Sequence, residues 1–292
     1  MELTNFSFLS EESVNQGVVG AIAYPHSGEH FHGSLMQDFE VYVLILHEDS
    51  TLHNKIRHSI IGELRYQIVY MDWAQLNRYL ITGEDRSVTG AFMDGDILWD
   101  RDDELLLLRQ HVLQFGNKVR KQKIFYEFSC FLKTYVEAKR WLADGQVIDA
   151  YQCVLKSLKH WARIVVIEKG IPPERAVWTQ IRDMDRAVYK LYDELTSSKE
   201  TLEQRVELTL LACEFSVMSK MESSSELLIE VLRKSNQPVS LAELMAHHEL
   251  QYIHEELPLM LRKLVHRSII KETGSWIPSL TESGREIRYF VD

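Results

Sequence analysis

Short apolar runs separated by polar turns characterise the first third of this 292-residue chain. Runs of apolar and β-branched residues predict strands at residues 18–24, 39–46 and 64–71. The second run, FEVYVLIL, is apolar on both faces, which is typical of a central strand. Asp72 and Gly83 bracket a predicted helix as its N-cap and C-cap.

The segment 87–100 predicts a short helix, a turn at Asp94-Gly95 and a last strand. From about Leu105 the apolar residues recur at steps of three and four, which is the period of a helix. This period predicts four long helices, at residues 105–145, 146–170, 175–198 and 199–221. Their short connections predict an antiparallel bundle.

The last seventy residues follow a different pattern after the polar segment 222–226. Two shorter helices are predicted there, and the second begins at Ser240 with Glu243 completing a capping box. A third helix contains Pro258 near its first turn, and a β-hairpin is expected around Gly274. Three helices followed by a hairpin are typical of a winged helix. We therefore expect three domains, at residues 1–115, 116–222 and 223–292.

Composition narrows the class of protein. The chain is 45% apolar and 26% charged, which is ordinary for a globular protein. Three scattered cysteines favour a reducing, cytoplasmic location, and the runs are too short to span a membrane. The net charge of −10 disfavours general nucleic-acid binding.

Charge is also unevenly distributed. Residues 1–115 carry 7 basic against 18 acidic residues, whereas residues 116–222 carry 18 against 15. This arrangement suits a metal–phosphate ligand held between the two segments, although unselective surface charge gives the same pattern.

Two carboxylates, Asp38 and Glu40, enter the apolar strand at positions i and i+2. Side chains alternate along a strand, so both point the same way and can reach one Mg²⁺ together. Such pairs are common, and a solvated strand end explains most of them.

The context of this pair resembles the nucleotidyltransferase superfamily of the DNA polymerase β type. His26-Ser27 stands where that family has Gly-Ser, and Gln37-Asp38-Phe39-Glu40 stands where it has Ser-Asp-x-Asp. The eleven-residue step from Ser27 to Asp38 is similar to that of the kanamycin-type members. The later segment GDILWDRDDEL, residues 95–105, resembles the Gly-x-x-Leu-x-Asp segment that closes their catalytic domain.

The resemblance extends to a group of nucleotidyltransferase-like proteins of Gram-positive bacteria with a helix-turn-helix-like C-terminal domain. It implies an α+β fold: a small mixed-sheet nucleotidyltransferase domain, a substrate-binding helical bundle and a winged-helix-like domain. It also implies a Mg²⁺-bound nucleoside triphosphate in the cleft between the first domain and the bundle. Asp38 and Glu40 would ligate the metal, and His26 and Ser27 would face the phosphates.

The chain departs from the family pattern at the third carboxylate. The position on the third strand that should carry it is Gln67. An amide neither ligates a metal strongly nor acts as a base, so we expect slow or absent transfer. Asp72 is five residues away, very roughly 16 Å, and cannot replace it.

Basic and histidine clusters supply further candidates. Lys156, Lys159 and Arg163 share one face of a predicted helix and either meet the triphosphate or form a solvated basic face. His30 and His32 have the spacing of a zinc pair, but the alternative is a polar, solvated loop.

Glu255 and Glu256 begin the helix that would contact DNA, which disfavours DNA as a partner. Protein contact, including self-association as a homodimer, suits this domain better. Two functions therefore remain: a nucleotide-binding protein with a degenerate catalytic site, or a regulatory protein that acts through its C-terminal domain.

Overall fold

The computed structural model describes residues 17–25, 39–48, 55–276 and 284–291. The chain divides into two compact units on either side of the bond between Gln114 and Phe115. The first unit contains a mixed sheet with helices, and the second unit is mostly helical. The α+β class expected from the sequence is confirmed.

A mixed sheet organises the first unit. Within the described residues it has five strands, Val18–Pro25 (β1), Val41–His47 (β2), Ile56–Ile61 (β3), Leu64–Met71 (β4) and Asp96–Asp100 (β5). Their order across the sheet is β3-β4-β2-β1-β5. β2 and β4 are parallel, and the other neighbours are antiparallel. Every residue of β2 is buried, as expected for a central strand.

Helices cover one face of this sheet. They are Trp73–Thr82 (α1), Arg86–Asp94 (α2) and Glu104–Leu113 (α3). Leu44 and Leu46 of β2 share an apolar cluster with Leu76 of α1, Phe92 of α2 and Leu105 of α3. The opposite face of β2 belongs to a second cluster with β1 and β4. Burial on both faces fixes the register of β2, because a shift by one residue would exchange the two faces.

Aspartate side chains bind backbone N–H groups at the starts of α1 and α3, and the cap at Asp72 is the one that the sequence predicts. The Asp72 carboxylate accepts the N–H of Gln75 at 2.8 Å, and Gly83 ends α1 with φ of 66°. Asp100 accepts the N–H groups of Leu105 and Leu106, both at 2.9 Å, and so ties β5 to the start of α3. The closing segment 95–105 therefore connects the sheet to the helical layer.

A helical hairpin leads the second unit. The hairpin is formed by Asn117–Ala143 (α4) and Val147–Glu168 (α5). The helices that follow are Val177–Met184 (α6), Arg186–Ser197 (α7), Leu202–Ser224 (α8) and Glu226–Lys234 (α9). The short connection between α4 and α5 uses Gly145 at φ of 74°. α4 buries a row of aromatic side chains, Phe125, Phe128 and Phe131, and α5 buries Leu158 and Trp161.

Two of the long helices predicted from the sequence are broken in the structure. The helix expected over 105–145 ends at Leu113 and begins again at Asn117, because Phe115 adopts φ of 47°. The helix expected over 175–198 is interrupted at Asp185, whose carboxylate accepts the N–H of Ala187 at 3.0 Å and starts α7. The apolar period continues across both breaks, so periodicity alone predicted single helices.

The chain ends in a small sheet with two further helices. The elements are Val239–Ser240 (β6), Leu241–Ala246 (α10), Leu257–His266 (α11), Lys271–Trp276 (β7) and Arg285–Phe290 (β8). The strand order is β6-β8-β7. The capping box of Ser240 and Glu243 is present in both directions. The boundary predicted at 223 and the winged-helix assignment stay predictions.

The hairpin turn expected around Gly274 is wrong. Gly274 lies inside β7, opposite Ile287 of β8. Strand β3 was also missed in the sequence. It lies at the edge of the sheet, with Ile56 and Ile60 mostly exposed, and therefore lacks the alternation that identifies a half-buried strand.

Gly95 is predicted to be required between α2 and β5. A Cβ there would lie 2.4 Å from the Ala91 oxygen and 2.9 Å from the Ala23 oxygen, whereas a Cβ at Gly90 in α2 meets nothing within 4 Å. Gly95→Ala should destabilise the protein by about 1–3 kcal/mol, because backbone must move. Gly90→Ala should stabilise it by about 0.5–1 kcal/mol. Urea unfolding measures both, and equal effects would contradict this packing.

Candidate functional site

The parallel pair β2 and β4 brings together the starts of two strands. Tyr42 pairs with Gln67, and His58 of β3 pairs with Gln67 from the other side. Residues that pair across strands share a face, so these three side chains lie on the helix-covered face of the sheet. Gln67 is half-buried there, next to the fully buried Tyr42.

The neighbour of Gln67, Tyr42, is buried. Burial raises the pKa of Tyr42, and the negative charge of Asp85, together with Tyr79, adds to this. A charge introduced at position 67 would therefore lose part of its hydration.

Glu40 lies in a bend directly before β2 and bonds twice to Arg65 at the start of β4. The Glu40 N–H donates to the Arg65 oxygen at 3.0 Å, and Glu40 Oε2 accepts the Arg65 N–H at 2.7 Å. This bond from the Arg65 N–H is the main reason why the pKa of Glu40 lies below its usual range. The exposed carboxylate is therefore held as an anion at neutral pH.

The partner carboxylate Asp38 lies outside the described residues, as do His26, Ser27, His30 and His32. Its neighbour Phe39 is described, and the Phe39 ring centroid lies 4.4 Å from that of His58. This contact packs the chain against β3 immediately before the bend at Glu40.

The fit to Mg²⁺ can be judged from the ligand atoms. In the ranges the structure describes, no group of three or more His, Cys, Asp or Glu side chains comes together as a metal site. Glu40 provides a hard anionic oxygen, which Mg²⁺ prefers, and Gln67 can provide only a neutral amide oxygen. The Asp72 carboxylate caps α1 and therefore does not replace the carboxylate missing at Gln67. Among the described residues, Glu40 is therefore the anionic ligand beside the strand of Gln67, and the Mg²⁺ site stays a prediction.

The three residues of the predicted basic face differ in their exposure and pairing. Lys156 and Lys159 are exposed on α5, whereas Arg163 is partly buried and donates to Glu127 Oε1 at 3.0 Å. His160 Nδ1 lies 2.6 Å from the other oxygen, Glu127 Oε2. Glu127 is 4% exposed, so its carboxylate depends on these two partners from α5.

Lys123 adds a further cation to this cluster, one turn before Glu127 on α4. Burial lowers the pKa of Lys123 to about 8; Glu127 opposes the shift, and Arg163 contributes to it by repulsion. Arg163 Nε is buried and has no hydrogen-bond partner among the described residues. One buried carboxylate thus faces more than one partly buried cation.

The Glu127 cluster was not predicted from the sequence. The signal that could have found it is a carboxylate within the aromatic stripe of Phe125, Phe128 and Phe131. An acidic residue at such a position is rarely buried unless it is paired.

Known families match both units. A model described as nucleotidyltransferase-like matches residues 8–120, and one described as a YgxA-like substrate binding domain matches residues 121–220. The protein YgxA of Bacillus subtilis (strain 168) is 34% identical over 237 residues, which cover 81% of this chain and 80% of YgxA. The chain belongs to the YgxA-like family of nucleotidyltransferase-like proteins.

A solved structure agrees with this membership. The crystal structure of a nucleotidyltransferase-like protein from Exiguobacterium sibiricum 255-15 is 28% identical, has a TM-score of 0.83 and covers 97% of both chains. The predicted nucleotidyltransferase resemblance is thereby confirmed for the fold. The kanamycin-type spacing and the winged helix stay predictions.

The boundary between the two matched family models, at residues 120 and 121, falls inside α4. The substrate-binding part contains Lys123, Glu127, His160 and Arg163. No helix in the described part of the chain is long and apolar enough to cross a membrane.

Glu127 is predicted to be essential for the stability of the substrate-binding part. Glu127→Ala leaves the partly buried Arg163 and Lys123 without this carboxylate and should cost about 3 kcal/mol, the lower end expected when a buried pair is broken. The matched control is Glu168→Ala, which removes a partly exposed pair with Lys220 at 2.7 Å and should cost about 1 kcal/mol or less. Urea unfolding measures both variants. Similar small losses would show that the Glu127 cluster is not a buried charge network.

Proposed function

We propose that the chain binds a Mg²⁺–nucleoside triphosphate on its first unit, and that phosphoryl transfer there is slow or absent. Asp38 and Glu40 would hold the metal, and His26 and Ser27 would face the phosphates. The single observation that carries the proposal is the anionic Glu40 carboxylate, positioned by Arg65 beside the strand of Gln67.

The chemistry of the proposed site follows from its own residues. Bound Mg²⁺ would neutralise the phosphate oxygens that gain charge during transfer. Glu40 is kept ionised by the Arg65 N–H, which suits a metal ligand. Gln67 cannot remove a proton from an attacking hydroxyl, so the chain lacks a base at that position.

Lys156 and Lys159 are proposed to bind phosphate, on the basis of their charge and exposure. Arg163 shares this proposal less directly, since its guanidinium already donates to Glu127. A cytoplasmic location is supported by Cys130, Cys153 and Cys213, which are all free thiols.

A second candidate function is regulation or interaction through the C-terminal segment. Glu255 and Glu256, directly before α11, both lie 3.0 Å from Lys133 of α4. Acidic side chains at this end disfavour contact with DNA phosphates, and their pairing with Lys133 supports packing within the protein. Contact with another protein, including a second copy, is the remaining alternative. The winged-helix assignment is supported by the strand order β6-β8-β7.

Mg²⁺-dependent nucleotide binding is predicted for the full-length protein. Calorimetry with ATP, GTP, CTP and UTP, with and without Mg²⁺, should show binding of at least one nucleotide that Mg²⁺ strengthens. Asp38→Ala and Glu40→Ala should each remove the Mg²⁺-dependent part. Glu63→Ala is the control, because Glu63 is an exposed carboxylate on the same unit. If no nucleotide binds, the interaction function replaces this proposal.

Gln67→Asp should restore the missing carboxylate. The new charge lies beside buried Tyr42, so the metal-free variant should lose about 1–2 kcal/mol and regain stability with Mg²⁺. Transfer activity absent from the wild type is the further expected gain. The control is Gln67→Asn, because asparagine has the shape of aspartate without its charge. This variant should show neither stabilisation by Mg²⁺ nor transfer activity. Thermal unfolding with and without Mg²⁺ tests this pair, and equal Mg²⁺ responses would remove Gln67 from the site.

A further inference from the structure

A cavity in the second unit gathers basic side chains from two helices. It has a volume of about 430 Å³ and lies among α4, α8 and α11. α4 supplies Lys139 and Arg140, and the end of α11 supplies Lys263, His266 and Arg267. Glu214 of α8 is the acidic residue in its lining. The surplus of positive charge contrasts with the net charge of −10 of the whole chain.

Glu214 neutralises only part of this charge. It accepts a hydrogen bond from Lys139 at 3.1 Å, which is the main reason why the pKa of Glu214 is lowered. Arg140, Lys263 and His266 form no side-chain ion pair or hydrogen bond with the described part of the chain. Arg140 and Lys263 are permanent cations in one lining, and an anion entering the cavity would relieve their repulsion.

Other cavities in the described part of this unit have a smaller surplus or none. One of them is lined by Lys234 and Arg288 together with Glu243. The cavity at the start of α4 is lined by Arg120 and Lys121 together with Glu168 and Glu226, so its charges balance. In another cavity the charged residues of the lining are both acidic, Glu200 and Glu207. The cavity between α4 and α11 is therefore distinguished by its charge rather than by its volume alone.

The remaining wall of this cavity is apolar. It includes Leu132, Tyr135, Val136 and Met221. Lys139 lies 5.5 Å from the centroid of the Tyr135 ring, so the aromatic side chain borders the basic side of the cavity. A wall of this kind favours an organic ligand, because a bare inorganic anion would leave apolar surface exposed to water.

We propose that this cavity binds a small organic phosphate, with the phosphate on the basic side chains and an apolar or aromatic group on the wall of Tyr135 and Met221. Arginine and lysine both bind phosphate through charge-assisted hydrogen bonds. The proposal assigns a ligand class to the second unit and does not depend on nucleotide binding at Asp38 and Glu40. Its binding requires no metal.

The test uses the full-length protein in EDTA, so that Mg²⁺-dependent binding is removed. Phenyl phosphate and AMP are the organic phosphates, adenosine and inorganic phosphate are the comparison ligands, and calorimetry measures affinity. At least one organic phosphate should bind about tenfold more tightly than either comparison ligand. Binding should weaken as salt increases.

The double variant Arg140→Ala, Lys263→Ala should weaken that binding about tenfold or more. The control Lys199→Ala, Arg233→Ala removes the same charge from exposed positions outside the cavity and should change affinity by less than about twofold. Circular dichroism checks that both variants fold. Asp38→Ala should leave this binding unchanged, so that failure here and failure at the Mg²⁺ site are distinguishable.

Three results would overturn the proposal. The first is that neither organic phosphate binds the wild type at millimolar concentration. The second is that the double variant binds as tightly as its control. The third is that a short oligonucleotide binds the cavity and is not displaced by AMP. The last result would assign the basic side chains to nucleic acid instead.

Discussion

The parallel pairing of β2 with β4 is the constraint on which the first unit depends. β2 is buried along its whole length, so its two faces must match two different apolar clusters. That requirement fixes its register with β4, and the register sets Tyr42 beside Gln67. The bend at Glu40 then reaches Arg65 of β4 through its own carboxylate. The candidate site is thus a consequence of how the core is packed.

The second unit uses buried charge where the first uses an exposed one. Glu127 accepts from Arg163 and lies against His160 inside the hairpin of α4 and α5, with Lys123 nearby. Burial makes this cluster costly to disturb, which suits a structural role. The cavity beside α11 has the opposite character, because its basic side chains are open to solvent and only partly neutralised. We expect ligand binding at the cavity beside α11, because its positive charge is only partly neutralised.

The sequence predicts most of the sheet and of the caps, because the relevant signals are local. Asp72 and Gly83 begin and end α1 as their residue types imply, and Ser240 forms the expected capping box with Glu243. Features set by distant contacts were not predictable: Phe115 interrupts a continuous apolar period, and β3 is an edge strand without alternation.

The candidate site was predictable in part for the same reason. Glu40 and Gln67 could be identified from their strands, whereas the bond from Arg65 to Glu40 depends on the pairing of segments 25 residues apart. Glu127 was hidden within an aromatic stripe, and the basic cavity combines α4 with α11, which are far apart in sequence. No single segment of the chain carries the signal for this cavity.

The central claim is that a metal-bound nucleotide sits at the starts of β2 and β4. Paramagnetic Mn²⁺, added with the nucleotide in place of Mg²⁺, broadens the NMR signals of nearby amides. The account predicts strongest broadening at Glu40, Arg65 and Gln67, and weaker broadening at Leu46 and Met71. These two lie roughly 13–20 Å further along the same strands. Equal broadening at both ends of these strands, or broadening centred at Leu46 and Met71, would contradict the account.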